Sequence, residues 1–136
     1  MGLADMIGSI VKWDAPSVDL SDSLRAALGK MASSGASAML VKSGEEVVGV
    51  ATDMDFMGSI ARGDDLDRVT VATFMSSCEI ISDREIKTPC IQLDETQSVK
   101  NAIGVMDLAG IHHLLVTGKK GAGVVSARDL LQLAVS

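Results

Sequence analysis

The chain repeats itself at a spacing of 75 residues, and that spacing constrains its fold more than any other feature. Leu24, Ala27, Leu28 and Met31 fall at i, i+3, i+4 and i+7, one face of an amphipathic helix. Val99, Ala102, Ile103 and Met106 rebuild that face, each 75 positions later. Ser21 or Asp22 is placed to cap the first helix, and Asp94 followed by Gln97 resembles a capping box for the second. Both helices are expected to stop at a glycine, Gly35 and Gly110, because glycine accepts the left-handed conformation that closes a helix.

The pattern continues past each glycine. An apolar strand follows, Ala38-Met39-Leu40-Val41 or His113-Leu114-Leu115-Val116. A polar glycine loop comes next, Ser43-Gly44-Glu45-Glu46 or Gly118-Lys119-Lys120-Gly121, and then a second strand, Val47–Ala51 or Ala122–Val125. Each pair reads as a hairpin. Thr52-Asp53-Met54-Asp55 and Ser126-Ala127-Arg128-Asp129 then open a second helix. A short strand precedes each first helix, Pro16–Leu20 and Pro89–Leu93, aligned on their prolines. The sequence therefore predicts two β-α-β-β-α repeats, residues 1–68 and 69–136, in an α/β (α+β) fold. Neither buries a good core alone, so the two are expected to pack into one compact domain. Phe74-Met75-Ser76-Ser77 echoes Met6-Ile7-Gly8-Ser9, and each is expected to be a lead-in turn packed on the other repeat. Cys78–Thr88 is longer and more charged than that role needs. Gly63–Asp67 reads as a solvated linker between repeats.

Composition excludes several functions. The chain has one Trp, two Phe and no Tyr among 136 residues, so its core must be aliphatic, with eight Met as filler. Net charge is −6, which argues against a nucleic-acid binder, and there are too few aromatics to stack bases. Residues 1–68 carry six basic and eleven acidic side chains, whereas residues 69–136 carry six and seven. An anionic ligand should prefer the second half. No apolar run is long enough to span a bilayer, so no membrane insertion is expected. The first residues lack a basic and an apolar signal region, and two cysteines make no disulfide framework. The expectation is a cytoplasmic protein whose two thiols are buried.

Gly-x-x-[Ser/Thr]-x-x-Asp occurs twice at the strand-to-helix junction, as Gly49-Val-Ala-Thr52-Asp-Met-Asp55 and Gly123-Val-Val-Ser126-Ala-Arg-Asp129. With the strand lead-in Gly110-Ile-His-His-Leu-Leu-Val, these motifs resemble the CBS domain family, named for cystathionine β-synthase, over essentially the whole chain. The resemblance implies two repeats packed about a pseudo-two-fold axis. It implies clefts that bind AMP, ADP, ATP or S-adenosylmethionine, a homodimer, and regulation of a separate partner protein. No covalent cofactor is implied.

The residues suit such a ligand. A ribose diol is best held by a carboxylate accepting two hydrogen bonds, and Asp55 and Asp129 match the family's ribose position. Thr52 and Ser126 stand where a helix begins, beside free backbone N–H groups and the positive helix end. Val18 and Leu40 are candidates to pinch adenine in one cleft, Ile91 and Leu115 in the other, with backbone groups near Ser17 and Cys90 reading its edge. Arg128, His112 and His113 are candidates for phosphate. Met54 and Ala38 replace Arg128 and His113 in the first repeat, so the clefts are unequal and the one around Asp129 is the better nucleotide site. Leu115 departs from the proline common in the family. Thr52-x-x-Asp55 and Ser126-x-x-Asp129 equally fit a capping box that merely starts a helix. His112 and His113, adjacent on a strand, point to opposite faces and make a poor metal pair. No nucleophile–base pair, zinc spacing or phosphate-binding P-loop is present, so no enzyme is expected. The alternative function is a ligand-free dimerisation and assembly module.

Overall fold

The computed structural model describes residues 2–77 and 91–135. Cys78, Cys90 and the segment Cys78–Thr88 lie outside them. The described chain divides into two compact units: residues 15–77 form one, and residues 2–14 with 91–135 form the other.

The first unit contains β1 (Ser17–Asp19), α1 (Leu24–Ser34), β2 (Ala38–Ser43), β3 (Glu46–Thr52), α2 (Asp53–Ala61), the short α3 (Val71–Phe74) and β4 (Ser76–Ser77). Its sheet runs β1-β2-β3-β4. Only the β1–β2 pair is parallel, and α1 supplies the crossover that a parallel pair needs. Leu24, Ala27 and Met31 of α1 pack on Met39 and Val41 of β2, with Phe56 of α2 and Val71 and Phe74 of α3 completing the core. The chain's two phenylalanines meet with ring centroids 5.0 Å apart and planes tilted by 55°, an arrangement that suits the ring quadrupoles.

The second unit contains β5 (Gln92–Asp94), α4 (Val99–Ala109), β6 (His113–Gly118), β7 (Gly121–Ser126) and α5 (Ala127–Ala134), in a sheet of order β5-β6-β7. Its core joins Val99, Ala102 and Met106 of α4 to Leu114, Val116 and Val125 of the sheet and Leu130 of α5. Ile7 and Val11, from the far end of the chain, belong to the same cluster. Both first helices end at the expected glycine, Gly35 at φ 69° and Gly110 at φ 68°.

Three local expectations are corrected. The first helix is capped by Ser23, whose side chain accepts from Ala26 N–H, and the second by Ser98, which accepts from Asn101 N–H. Asp22 and Asp94 serve turns just upstream instead. Asp22 accepts from Asp19 N–H at 2.9 Å, and Asp94 Oδ1 takes both the N–H and the hydroxyl of Thr96. Short acidic side chains favour such turns as strongly as they favour caps. The linker keeps Gly63, Asp65 and Asp67 exposed, as expected, but it is also knitted to the first unit. Asp64 accepts from the buried Ser59 hydroxyl at 2.6 Å, Asp67 pairs with Arg25 at 2.7 Å, and Leu66 carbonyl accepts from Arg25 N–H.

The lead-in segments pack as expected, but their register differs. Residues 7–11 lie in the core with the second repeat, and residues 71–74 with the first. Val71 and Ala72 N–H donate to Asp22 and Leu20 carbonyls; Ile7 and Gly8 N–H donate to Gln97 and Glu95. Ser76 pairs with Val50 on β3, and Lys12 bridges to Val124 on β7. These matches put Lys12, not Gly8, at the place of Ser76, an offset of 64 rather than 68. Likewise Ser17 pairs with Leu40 and Gln92 with Leu115, so Gln92 takes the place of Ser17 and the proline alignment is two residues out.

Candidate functional site

The motif glycines have a steric reason. A side chain at Gly123 would place its Cβ 2.5 Å from Val11 Cγ1 and 2.8 Å from Lys12 carbonyl oxygen. At Gly49 it would drive into Ser76 carbonyl oxygen and Met75 Cε. Glycine is needed here because a lead-in segment crosses the strand at close range, not because of a special backbone angle.

Three residues on, the chain leaves the sheet for a helix, and both junctions form complete capping boxes. Thr52 Oγ1 accepts from Asp55 N–H at 3.3 Å while Asp55 accepts from Thr52 N–H at 2.9 Å. Ser126 Oγ accepts from Asp129 N–H at 3.1 Å while Asp129 accepts from Ser126 N–H at 3.4 Å. The capping-box reading of the motif is therefore correct as local structure. It leaves most of each carboxylate's accepting capacity for other partners.

Here the repeats diverge. In the first, the buried Ser76 hydroxyl donates to Asp55, 3.2 and 3.1 Å from its two oxygens. Burial pushes the Asp55 carboxyl above its ordinary value, against the lowering effect of the hydrogen bonds from Thr52 and Ser76. Asp53 carboxylate takes Met54 N–H at 2.8 Å, so that helix end is already answered by an acid. Lys30 donates to Ser17 carbonyl, occupying a group expected to read an adenine edge. The first motif thus carries two carboxylates and satisfies its own donors.

In the second, Ala127 stands in place of Asp53, Arg128 in place of Met54 and Lys12 in place of Ser76. Lys12 Nζ lies 4.0 Å from Asp129 Oδ2, the lysine 65% exposed and the aspartate 17%. Arg128 is exposed on the first turn of α5. His113 faces Ser126 directly across the β6–β7 ladder. His112 carbonyl accepts from Ala127 N–H at 2.8 Å, and its exposed ring helps to line an apolar groove of about 250 Å³ with Met106, Gly110, Ile111, Ala127 and Leu131. Ser126, Arg128, Asp129, His112 and His113 are thereby gathered around one helix start. Lys119 and Lys120 sit at the other end of the β6–β7 hairpin, roughly 17 Å from Ser126 at strand rise.

The apolar candidates separate. Leu40 and Leu115 are buried but lie outside the helix-packed clusters, whereas Val18 is in the core beside Val41. Val18 and Leu40 are therefore on opposite faces of their sheet. Ile91 is partly buried against the second core, and its carbonyl accepts from Leu115 N–H at 3.1 Å. Cys90 lies outside the described residues. Lys12 is the site residue that sequence reasoning missed. The signal was the lead-in echo, which was aligned four residues out of register. Among the described residues, no cluster of His, Cys, Asp or Glu is arranged to hold a metal ion, and no helix is long and apolar enough to cross a membrane.

The comparisons with known proteins agree with this geometry. The CBS domain family profile matches residues 7–62 and 81–136. No curated protein sequence matches the chain. Among solved structures, an uncharacterized conserved protein from Pyrococcus horikoshii aligns with a TM-score of 0.79 at 20% identity, covering 97% of this chain and 93% of that one. A CBS domain protein from Pyrobaculum aerophilum complexed with AMP aligns with a TM-score of 0.73 at 22% identity, covering 96% and 99%. The CBS domain of a bacterial CNNM/CorC family Mg2+ transporter in complex with ATP gives 0.74 at 18%, covering 98% and 89%. With two tandem matches over most of its length and the same α+β repeat in each, the chain belongs to the CBS domain family.

Proposed function

We propose that the chain is a regulatory module that binds an adenosine-containing nucleotide at the Ser126–Asp129 junction of its second repeat and signals to a separate protein. One observation carries this reading. The two motif carboxylates have different surroundings: Asp55 accepts from Ser76 beside a second acid, whereas Asp129 has the Lys12 ammonium 4.0 Å away and follows Arg128 on the first turn of α5. A carboxylate for a diol, next to cations for a phosphate, is the chemistry a nucleotide needs. Structural neighbours complexed with AMP or ATP support the ligand class. The first site is expected to bind weakly or stay empty. Ligand binding alters signalling only through different affinities for two states of the module.

Isothermal titration with AMP, ADP, ATP and S-adenosylmethionine is the test. Asp129→Ala should abolish most of the affinity and Asp55→Ala far less. No heat with any ligand at millimolar concentration would refute the reading, and the reverse order of the variants would refute the ranking of the sites.

A second reading, an assembly module, has its own support. The second unit exposes Leu108 at 92%, Val135 at 88% and Leu131 at 59%. Exposed apolar area of this kind favours self-association. Light scattering with and without nucleotide distinguishes the two: a dimer indifferent to every nucleotide supports assembly alone.

A further inference from the structure

We infer that Lys12 is a specificity-determining residue of the second site, making it select a nucleotide over the corresponding nucleoside. The inference rests on the nucleotide reading above and extends it to a residue 117 positions from Asp129.

Four observations carry it. Backbone bonds fix the segment beside β7: Lys12 N–H donates to Val124 carbonyl at 3.0 Å, and Val124 N–H returns to Lys12 carbonyl at 3.4 Å. Val11 is buried in the core, so the neighbouring side chain emerges beside α5. From there the ammonium group reaches to 4.0 Å from Asp129. At the same place in the first repeat stands Ser76, a neutral donor that closes on Asp55.

The consequence is an exchange of partners. Without ligand, Lys12 and Asp129 face each other as a loose, half-exposed pair. A ribose diol donating to Asp129 has to share the carboxylate with the ammonium group. A ligand with a 5′-phosphate offers it a new anionic partner, beside Arg128. A nucleoside offers none, so its diol must compete with Lys12 for Asp129 and returns nothing to the lysine. Ser76 in the first repeat has no charge to transfer, and that repeat contributes Asp53 instead, which repels phosphate. The same backbone position therefore sets opposite preferences in the two repeats.

The test is titration calorimetry with AMP and with adenosine on the full chain, wild type and Lys12→Ser, which installs the first repeat's residue. Circular dichroism confirms that the variant is folded, and Lys12→Arg serves as a charge-retaining second variant. Loss of one charge-assisted contact should weaken AMP about tenfold. Adenosine affinity should be unchanged or higher, and Lys12→Arg should keep the preference for AMP. Equal weakening of both ligands, or no change in either, overturns the role of Lys12 while leaving the site intact. Wild-type protein that binds neither ligand overturns the nucleotide reading and this inference with it.

Discussion

Replacing Gly123 with alanine should destabilise the second unit by about 3 kcal/mol, and the reason lies in another part of the chain. The new Cβ would fall 2.5 Å from Val11 Cγ1 and 2.8 Å from Lys12 carbonyl oxygen. Val11 is 8% exposed and wedged in the core, so the lead-in segment has to move as a body. Overpacking of this kind costs about 2 kcal/mol. Displacing the segment also weakens the two Lys12–Val124 bonds, adding about 1 kcal/mol. With a urea slope of roughly 2 kcal/mol/M, the midpoint should fall by about 1.5 M. Gly104→Ala is the control. That glycine sits inside α4 with nothing within 4 Å of the added Cβ, and alanine there should stabilise by roughly 0.5–1 kcal/mol. Urea titrations followed by circular dichroism would measure both. A Gly123→Ala midpoint within the scatter of wild type would mean that the lead-in does not cross β7 as described, and the placement of Lys12 would go with it.

Other consequences are as direct. Because burial raises the Asp55 carboxyl, the native state holds its proton into a range where the unfolded chain has lost it, so this group's contribution to stability is present at low pH and falls as pH rises from the ordinary value of 3.8 through the native one. The stability difference between wild type and Asp55→Asn, from denaturation midpoints across that range, should therefore shift against wild type as pH rises; a difference independent of pH would contradict it. Ser98→Ala should cost about 1 kcal/mol as the loss of a helix cap, whereas Gln97→Ala should cost much less, an order that separates the observed cap from the Asp94–Gln97 box. Leu130→Ala removes a fully buried side chain that ties α5 to the core and should lower stability by roughly 2–5 kcal/mol, measurable by thermal or chemical unfolding.

The parts legible in the sequence are those encoded by local period and local chemistry. The faces Leu24–Met31 and Val99–Met106, the stops at Gly35 and Gly110, the hairpins and both capping boxes depend on residues within a few positions of one another. The caps of the first helices are harder to read, since Asp19, Asp22 and Ser23 in one repeat, and Asp94 and Ser98 in the other, compete for neighbouring backbone groups and only the folded turn decides among them. Lys12 was beyond local reasoning. The helical body repeats at 75 and the lead-in at 64, and the eleven-residue difference falls in the sequence between Ser77 and β5. A single repeat length carried through the chain therefore aligns the wrong residues beside Asp129. Likewise Val18 and Leu40 are both apolar, and only the β1–β2 register tells which face of the sheet each takes.

The discontinuous unit also orders events during synthesis. Residues 15–77 are contiguous and carry their own sheet and core, so their contacts can begin to form before the later strands are made. Residues 2–14 are made before them yet must wait, because β7 and the turn leading into α4, against which they pack, are made after them. Closing that circuit joins Lys12 to Val124 across the whole of the first unit, the long-range kind of contact that slows folding. The second repeat is thus completed by the chain's earliest residues. A disturbance at Ile7 would loosen the core that holds α5, whereas the first unit would keep its own core.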